Sequence, residues 1–158
     1  AWELNERHYG ALTGLNKTET KKKLGESMFL KYRRSWDIAP PDIDINSIYL
    51  KYFSKLNYLI PNEKIPKTES LKDTYNRVIK FYNDTIFSFI KNHKTVIIAA
   101  HGNSLRALCK HLFNISNEKI NKLEIPTGNP MTIDFTNNLK IKNAYYLDEK
   151  RAMPIFDI

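Results

Sequence analysis

Cysteine is nearly absent from this chain of 158 residues, in which Cys109 is the only one. A single cysteine excludes an intrachain disulfide and a metal site built from several cysteines. Long apolar runs are missing too, because no stretch approaches the roughly 18 consecutive apolar residues that cross a bilayer. The first seven residues mix acidic and basic side chains, which is not the pattern of a secretory signal peptide. These absences predict a soluble, cytoplasmic protein with no membrane partner.

Acidic residues are outnumbered, 17 against 25 lysines and arginines, which gives a net charge of +8. Such an excess favours an anionic ligand, either a nucleic acid or a phosphorylated metabolite. The alternative is codon bias, since Lys, Asn and Ile are all abundant, and it accounts better for most of the lysines. A nucleic-acid surface also needs aromatic side chains that stack on bases, whereas the aromatics here lie mostly on apolar stripes. We therefore expect no nucleic-acid partner.

The spacing of apolar residues predicts an α/β fold in one domain over 1–158. The run 95–100 is continuously β-branched or apolar, which is typical of a strand buried on both faces of a parallel sheet. Residues 39–67 carry four prolines and are predicted to form a long loop with one short helix. The predicted elements are helices over 16–36, 48–56, 70–90, 105–113 and 116–123, strands over 95–100, 131–135 and 141–147, and the end of a further strand at Trp2 and Leu4.

The sequence His101-Gly102-Asn103-Ser104 stands between that predicted strand and a helix. Ligands of open α/β sheets bind at the carboxyl ends of strands, and a helix N-terminus adds N–H donors suited to phosphate. Gly102 lets the backbone approach a ligand closely, and Ser104 is the predicted N-cap. A histidine that merely ends the strand is an equally good interpretation from position alone.

Two further groups of charged residues have chemical potential. The run Glu6-Arg7-His8-Tyr9-Gly10 offers a carboxylate, a guanidinium and an imidazole, and a protonated carboxyl group could act as a general acid. Arg33 and Arg34 could hold an anion by forked hydrogen bonds, although neighbours on a helix point about 100° apart. Each group alone is better explained as a solvated surface.

The order and spacing of these pieces, taken together, resemble the cofactor-dependent phosphoglycerate mutase family. The resemblance extends from residue 2 to about residue 147. Its motifs are Leu4–Lys17 (LNERHYGALTGLNK), Tyr32–Trp36 (YRRSW), Pro40-Pro41, Pro66–Leu71 (PKTESL), Val96–Leu108 (VIIAAHGNSLRAL) and Ile125–Pro130 (IPTGNP).

The resemblance implies a three-layer, mostly parallel sheet with helices on both faces. It implies interconversion of 3- and 2-phosphoglycerate through a phosphohistidine and bound 2,3-bisphosphoglycerate, without a metal. Glu6 corresponds to the general acid/base of the family, and His101 to the histidine that stabilises the phosphoryl group in transfer. The substrate-binding positions implied in the same way are Arg7, Tyr9, Lys17, Arg33, Arg34, Gly102 and Asn103.

The chain departs from the family at both ends. The phosphorylated histidine belongs to an Arg-His-Gly motif that these residues lack, so we expect a preceding segment to supply it, together with the central strand. We expect residues 1–158 alone to be inactive. Residues 148–158 form an atypical, short and partly apolar tail.

Two interpretations stay open beside the mutase, and the oligomeric state is open as well. The same site could serve a bisphosphoglycerate mutase or phosphatase, and the chain could also be an inactive family member that acts as a binding protein. A homo-oligomer, dimer or tetramer, is an open alternative to a monomer.

Overall fold

Helices make up most of the regular structure in the computed structural model, which describes residues 1–55, 59–92 and 95–152. In chain order they are α1 (Lys17–Leu24), α2 (Glu26–Arg34), α3 (Ile48–Ser54), α4 (Leu71–Phe81), α5 (Phe87–Asn92) and α6 (Gly102–Leu112). A π-helical turn, Tyr82–Ile86, joins α4 to α5. Short 3₁₀ turns lie at Trp2–Leu4, Gly10–Leu12, Asn62–Lys64, Ile120–Lys122 and Glu149–Arg151. None of these helices is long and apolar enough to cross a membrane.

The helix predicted over 16–36 is two helices. Asn16 caps α1 as expected, because its side-chain oxygen accepts hydrogen bonds from the backbone N–H of Thr18 and Glu19. Gly25 then adopts φ 76° and ψ 154°, a backbone conformation that side chains other than glycine rarely tolerate. The chain therefore turns at Gly25 and brings Arg33 to the end of a second helix.

The predicted helix from residue 70 is confirmed, with a reciprocal capping box between Ser70 and Asp73. Leu71 and Val78 are buried on α4, which packs against α6. The main hydrophobic core gathers side chains from α4, the π-helical turn, α6 and the segments after it. Its members include Leu71, Val78, Tyr82, Ile86, Ala107, Leu108, Cys109, Ile115, Ile120, Leu123 and Ala144.

The prediction of a buried strand over 95–100 is wrong for this chain. Residues 95–100 are neither helix nor strand, and Ile97 is 89% exposed. A strand requires a neighbour that takes its backbone hydrogen bonds, and no described residue pairs with this segment. Residues 95–100 thus have the apolar pattern of a buried strand but lack a neighbouring strand among the described residues.

The hairpin after α6 is confirmed. Strands β1 (Met131–Phe135) and β2 (Ile141–Tyr146) pair antiparallel, with Met131 opposite Tyr146, and are joined through a turn at Asn137 and Asn138. They form the only sheet among residues 1–55, 59–92 and 95–152. The three-layer parallel sheet is therefore not seen there. Two smaller predictions are corrected: 2–4 is a 3₁₀ turn rather than the end of a strand, and the helical part of 116–123 is limited to the 3₁₀ turn Ile120–Lys122.

Candidate active site

The segment that carries Glu6 is irregular and is fixed by an ion pair on its α4 side. Arg77 of α4 binds Glu69 through two hydrogen bonds, from Nε to Oε1 at 2.6 Å and from Nη2 to Oε2 at 2.9 Å. The same guanidinium donates to the backbone oxygens of Glu3, Asn5 and Glu6. The Glu69 side chain is only 5% exposed, so this pair is shielded from water and holds the segment firmly.

Helix α6 fixes Glu6 from the other side. The Asn103 side chain donates through Nδ2 to Oε1 of Glu6, and the Asn103 backbone N–H lies 3.4 Å from Oε2. The carboxylate therefore occupies the positive end of α6, where negative charge is favoured. This backbone N–H, which the sequence suggested for phosphate, is used by Glu6.

His101 is the N-cap residue of α6, in place of the predicted Ser104. Ser104 lies inside the helix, and its hydroxyl donates to the backbone oxygen of Asn5. Because the Ser104 hydroxyl is bound to Asn5, it does not cap α6. His101 is exposed, and its side chain makes no capping hydrogen bond, so the imidazole is available to a ligand.

Two guanidinium groups converge on the ring of Tyr9. The central carbon of Arg7 lies 4.5 Å from the ring centroid, and that of Arg33 lies 5.0 Å from it. Arg7 is only 2% exposed, and it donates to the backbone oxygens of Tyr32 and Arg33 at the end of α2. The hydroxyl of Tyr9 accepts a hydrogen bond from Asn103 at 2.9 Å. Tyr9 thus links the arginines to the Glu6 side of the site.

These side chains surround one cavity of about 600 Å³. The predicted site residues that line it are Glu6, Arg7, Tyr9, Lys17, Arg33 and His101. Its wall also contains Lys64 and apolar residues such as Phe53 and Ile65, which come from the long loop and α3. Residues separated by almost a hundred positions in the chain therefore face the same space.

Three predicted site residues do not line this cavity. Arg34 points to Glu124 instead, with Nη2 2.9 Å from Oε1, because successive helix positions diverge. Asn103 acts from behind Glu6, through the hydrogen bonds described above. A Cβ added to Gly102 would meet no atom within 4 Å, so its backbone is open to a ligand without contacting the cavity wall.

The sequence did not single out Glu69 or Arg77, although both line the cavity. Their signal was faint: Glu69 stands just before the N-cap of α4, and Arg77 follows eight positions later on that helix. His8, whose imidazole the sequence analysis noted without giving it a role, also lines the cavity. Burial lowers its pKa against an opposing effect of Glu69, and Nδ1 accepts the N–H of Gly10. The imidazole is therefore neutral, with its proton on Nε2.

Other reactive groups are poorly suited to this site. Burial raises the pKa of the Cys109 thiol to about 12, so it stays protonated and unreactive near neutral pH. Within the described ranges, no group of three or more His, Cys, Asp or Glu side chains has an arrangement that could hold a metal ion. His93 lies outside the described residues.

Comparison with known proteins identifies the family. Residues 2–145 match the histidine phosphatase superfamily (branch 1). The chain belongs to this superfamily. It is 56% identical over 152 residues to a 2,3-bisphosphoglycerate-dependent phosphoglycerate mutase of Pelagibacter ubique, covering 96% of this chain and 64% of that protein.

Two more relatives with the same name are similarly close. The protein of a Caulobacter species is 48% identical over 154 residues, covering 98% of this chain and 64% of its own length. That of Cutibacterium acnes is 47% identical over 154 residues, covering 96% and 62%. The chain thus spans slightly less than two-thirds of the length of these relatives. We use "full-length protein" for residues 1–158 together with any segment that flanks them.

Proposed function

We propose that the full-length protein interconverts 3-phosphoglycerate and 2-phosphoglycerate through a phosphohistidine. The observation that supports this most is that Glu6 and His101 line one cavity with Arg7, Arg33 and Lys17. The relatives are named 2,3-bisphosphoglycerate-dependent phosphoglycerate mutases, which agrees with this chemistry. The chemistry requires a general acid/base for the substrate hydroxyl and donors for the moving phosphoryl group.

The cavity has the charge that a doubly phosphorylated ligand needs. Arg7 and Arg33 stack on the same ring, and a bound anion would offset the repulsion between them. Nε of Arg7 and Nε2 of His8 are buried without a hydrogen-bond partner among the described residues. Buried donors without partners are costly, and ligand oxygens could accept from them. 2,3-Bisphosphoglycerate would supply the phosphoryl group that primes the histidine.

Each residue has a separate task in the proposed reaction. The Glu6 carboxyl group exchanges a proton with the substrate hydroxyl, and Asn103 keeps it oriented. His101 donates to phosphoryl oxygens as charge builds up on them. Arg7, Tyr9, Arg33 and Lys17 orient the phosphate and carboxylate groups, and the backbone of Gly102 is open to them at the edge of the site. Positioning and charge stabilisation supply most of the rate in phosphoryl transfer.

Residues 1–158 would form only part of the sheet of the full-length protein. Residues 96–99 line an apolar concave surface with Leu4, Phe81 and Phe89. An exposed β-branched segment of this kind is suited to pairing with another strand. We propose that a strand outside residues 1–158 pairs here, giving the three-layer, mostly parallel sheet, and that its segment carries the phosphorylated histidine. The full-length protein would act in the cytoplasm, without a metal.

A thermal melt tests the binding part of this proposal. We expect 2,3-bisphosphoglycerate to stabilise the full-length protein, by about 2.7 kcal/mol at a hundredfold excess over its Kd, which corresponds to a rise of several degrees in Tm. Arg33→Gln should abolish most of the rise, because it removes a cation from the cavity wall.

Lys142→Gln is the matched control. It removes the same charge as Arg33→Gln, but at a position that is exposed on β2. Its Tm shift should equal that of the wild type. An equal shift for all three proteins, or none for the wild type at millimolar ligand, would count against an anion site at Arg33.

A further inference from the structure

Arg106 is a buried cation close to the site but outside the cavity wall. It is 8% exposed. Its Nη1 donates to Oδ1 of Asn103 at 2.8 Å, and its Nε donates to the backbone oxygen of Leu123 at 2.8 Å. Both acceptors are uncharged, so the guanidinium has no carboxylate bonded to it among the described residues.

The surroundings of Arg106 make this burial costly. Burial lowers its pKa, and repulsion from Arg34 acts in the same direction, while Glu124 opposes them. A guanidinium nonetheless stays protonated near neutral pH. A buried charge without an ionic partner destabilises the fold. If this position of α6 contributed only to folding, an apolar side chain would stabilise the protein more than arginine does.

An arginine fixes which way the neighbouring amide faces, because it has five N–H donors and no acceptor. Oδ1 of Asn103 must therefore face Arg106, and Nδ2 must face the opposite way. On that side lie Oε1 of Glu6 and the hydroxyl of Tyr9, both of which accept from Nδ2. A charged donor on Oδ1 also polarises the amide and strengthens Nδ2 as a donor.

We propose that Arg106 is a positioning residue, which locks the Asn103 amide so that its N–H groups hold the Glu6 carboxyl group and the Tyr9 hydroxyl in place. The proposal deepens the function given above and rests on it for its kinetic consequences. Arg106 itself does not line the cavity. It acts through Asn103 alone, and this makes the proposal testable by coupling.

A double-mutant cycle in the full-length protein measures that coupling. Asn103→Ala and Arg106→Met should each lower kcat for 3- to 2-phosphoglycerate conversion by about 10²-fold, since small misplacements of catalytic groups cost this much. Their effects on KM should be smaller. The double variant should be no slower than Asn103→Ala, because Arg106 has nothing left to position. Arg106→Lys, which keeps a donor, should recover part of kcat.

Lys110→Met provides the matched control on the same helix. Lys110 is also a cation that donates to a backbone oxygen, that of Ile115, and it packs on Trp36 away from the cavity. Its loss should lower Tm without lowering kcat. A mere stability role for Arg106 predicts that the two methionine variants behave alike.

An NMR readout of the Asn103 side-chain amide does not depend on activity. Its paired N–H signals, identified by their loss in Asn103→Ala, should move towards free-amide positions in Arg106→Met and stay unchanged in Lys110→Met. If the amide behaves so in a protein that converts no phosphoglycerate, the positioning role holds and the proposed function fails. Multiplying effects on kcat, or an amide unchanged in Arg106→Met, would overturn the positioning role.

Discussion

Replacing Glu6 by Gln in the full-length protein is expected to lower kcat for phosphoglycerate interconversion by about 10²–10⁴-fold, the usual contribution of a general acid/base. Glutamine keeps the size of the side chain and can still accept from Asn103 Nδ2, but it cannot exchange the proton. KM should change much less than kcat, since the cationic wall of the cavity is untouched. Steady-state kinetics measure both.

The control for this substitution is Glu118→Gln, an equally large change of charge at an exposed position that does not line the cavity. It should leave kcat unchanged. A Glu6→Gln protein that keeps more than a tenth of the wild-type kcat would show that Glu6 is not the acid/base.

The largest expected effect on stability is that of Glu69→Gln. Glu69 and Arg77 form a pair with side chains 5% and 14% exposed, and Glu69 also accepts the backbone N–H of His8 at 2.8 Å. The substitution leaves the guanidinium without its counter-charge, which costs about 3–5 kcal/mol for buried pairs. Urea unfolding of the full-length protein should show the loss as a lower midpoint with an unchanged slope.

Glu26→Gln is the comparison for that measurement. Glu26 pairs with Lys21 at 2.6 Å, but both side chains are well exposed, and such pairs contribute at most about 1 kcal/mol. Equal losses of stability in the two variants would mean that burial does not strengthen the Glu69–Arg77 pair. That result would remove the argument that this pair holds the Glu6 segment.

Local sequence signals predicted the helices well where a side chain fixes the helix end. Asn16 and the Ser70–Asp73 pair cap α1 and α4 as expected. The break at Gly25 was missed because a glycine inside a helical pattern is compatible with a continuous helix. In the structure Gly25 has a positive φ, and α1 ends there. The difference matters for the site, since it places Arg33 at the end of α2.

The segment 95–100 shows where a local pattern is insufficient. Its side chains suit a buried strand, but strand formation depends on hydrogen bonds to a neighbour. Ser104 failed as a cap for a related reason: Asn5, far away in the sequence, takes its hydroxyl. Both outcomes depend on long-range partners that no local pattern specifies.

The cavity residues were predicted mainly from the family resemblance, since Glu6 and Arg33 alone look like ordinary surface charges. What the sequence could not give was the support behind them. Arg77 donates to backbone oxygens, Glu69 accepts the backbone N–H of His8, and Arg106 donates to the amide of Asn103. Such contacts leave no periodic pattern. The resemblance assigned Arg34 to the site together with Arg33, but Arg34 contacts Glu124 and does not line the cavity.

The measurement that tests the central claim most directly is conversion of 3- to 2-phosphoglycerate by the full-length protein, followed with and without 2,3-bisphosphoglycerate. Inorganic phosphate is assayed in the same samples. Our account predicts conversion that depends on catalytic amounts of 2,3-bisphosphoglycerate, little phosphate release, and no conversion by residues 1–158 alone. Phosphate release without interconversion would contradict the account and favour a phosphatase. Equal turnover by residues 1–158 alone would contradict a phosphorylated histidine outside them.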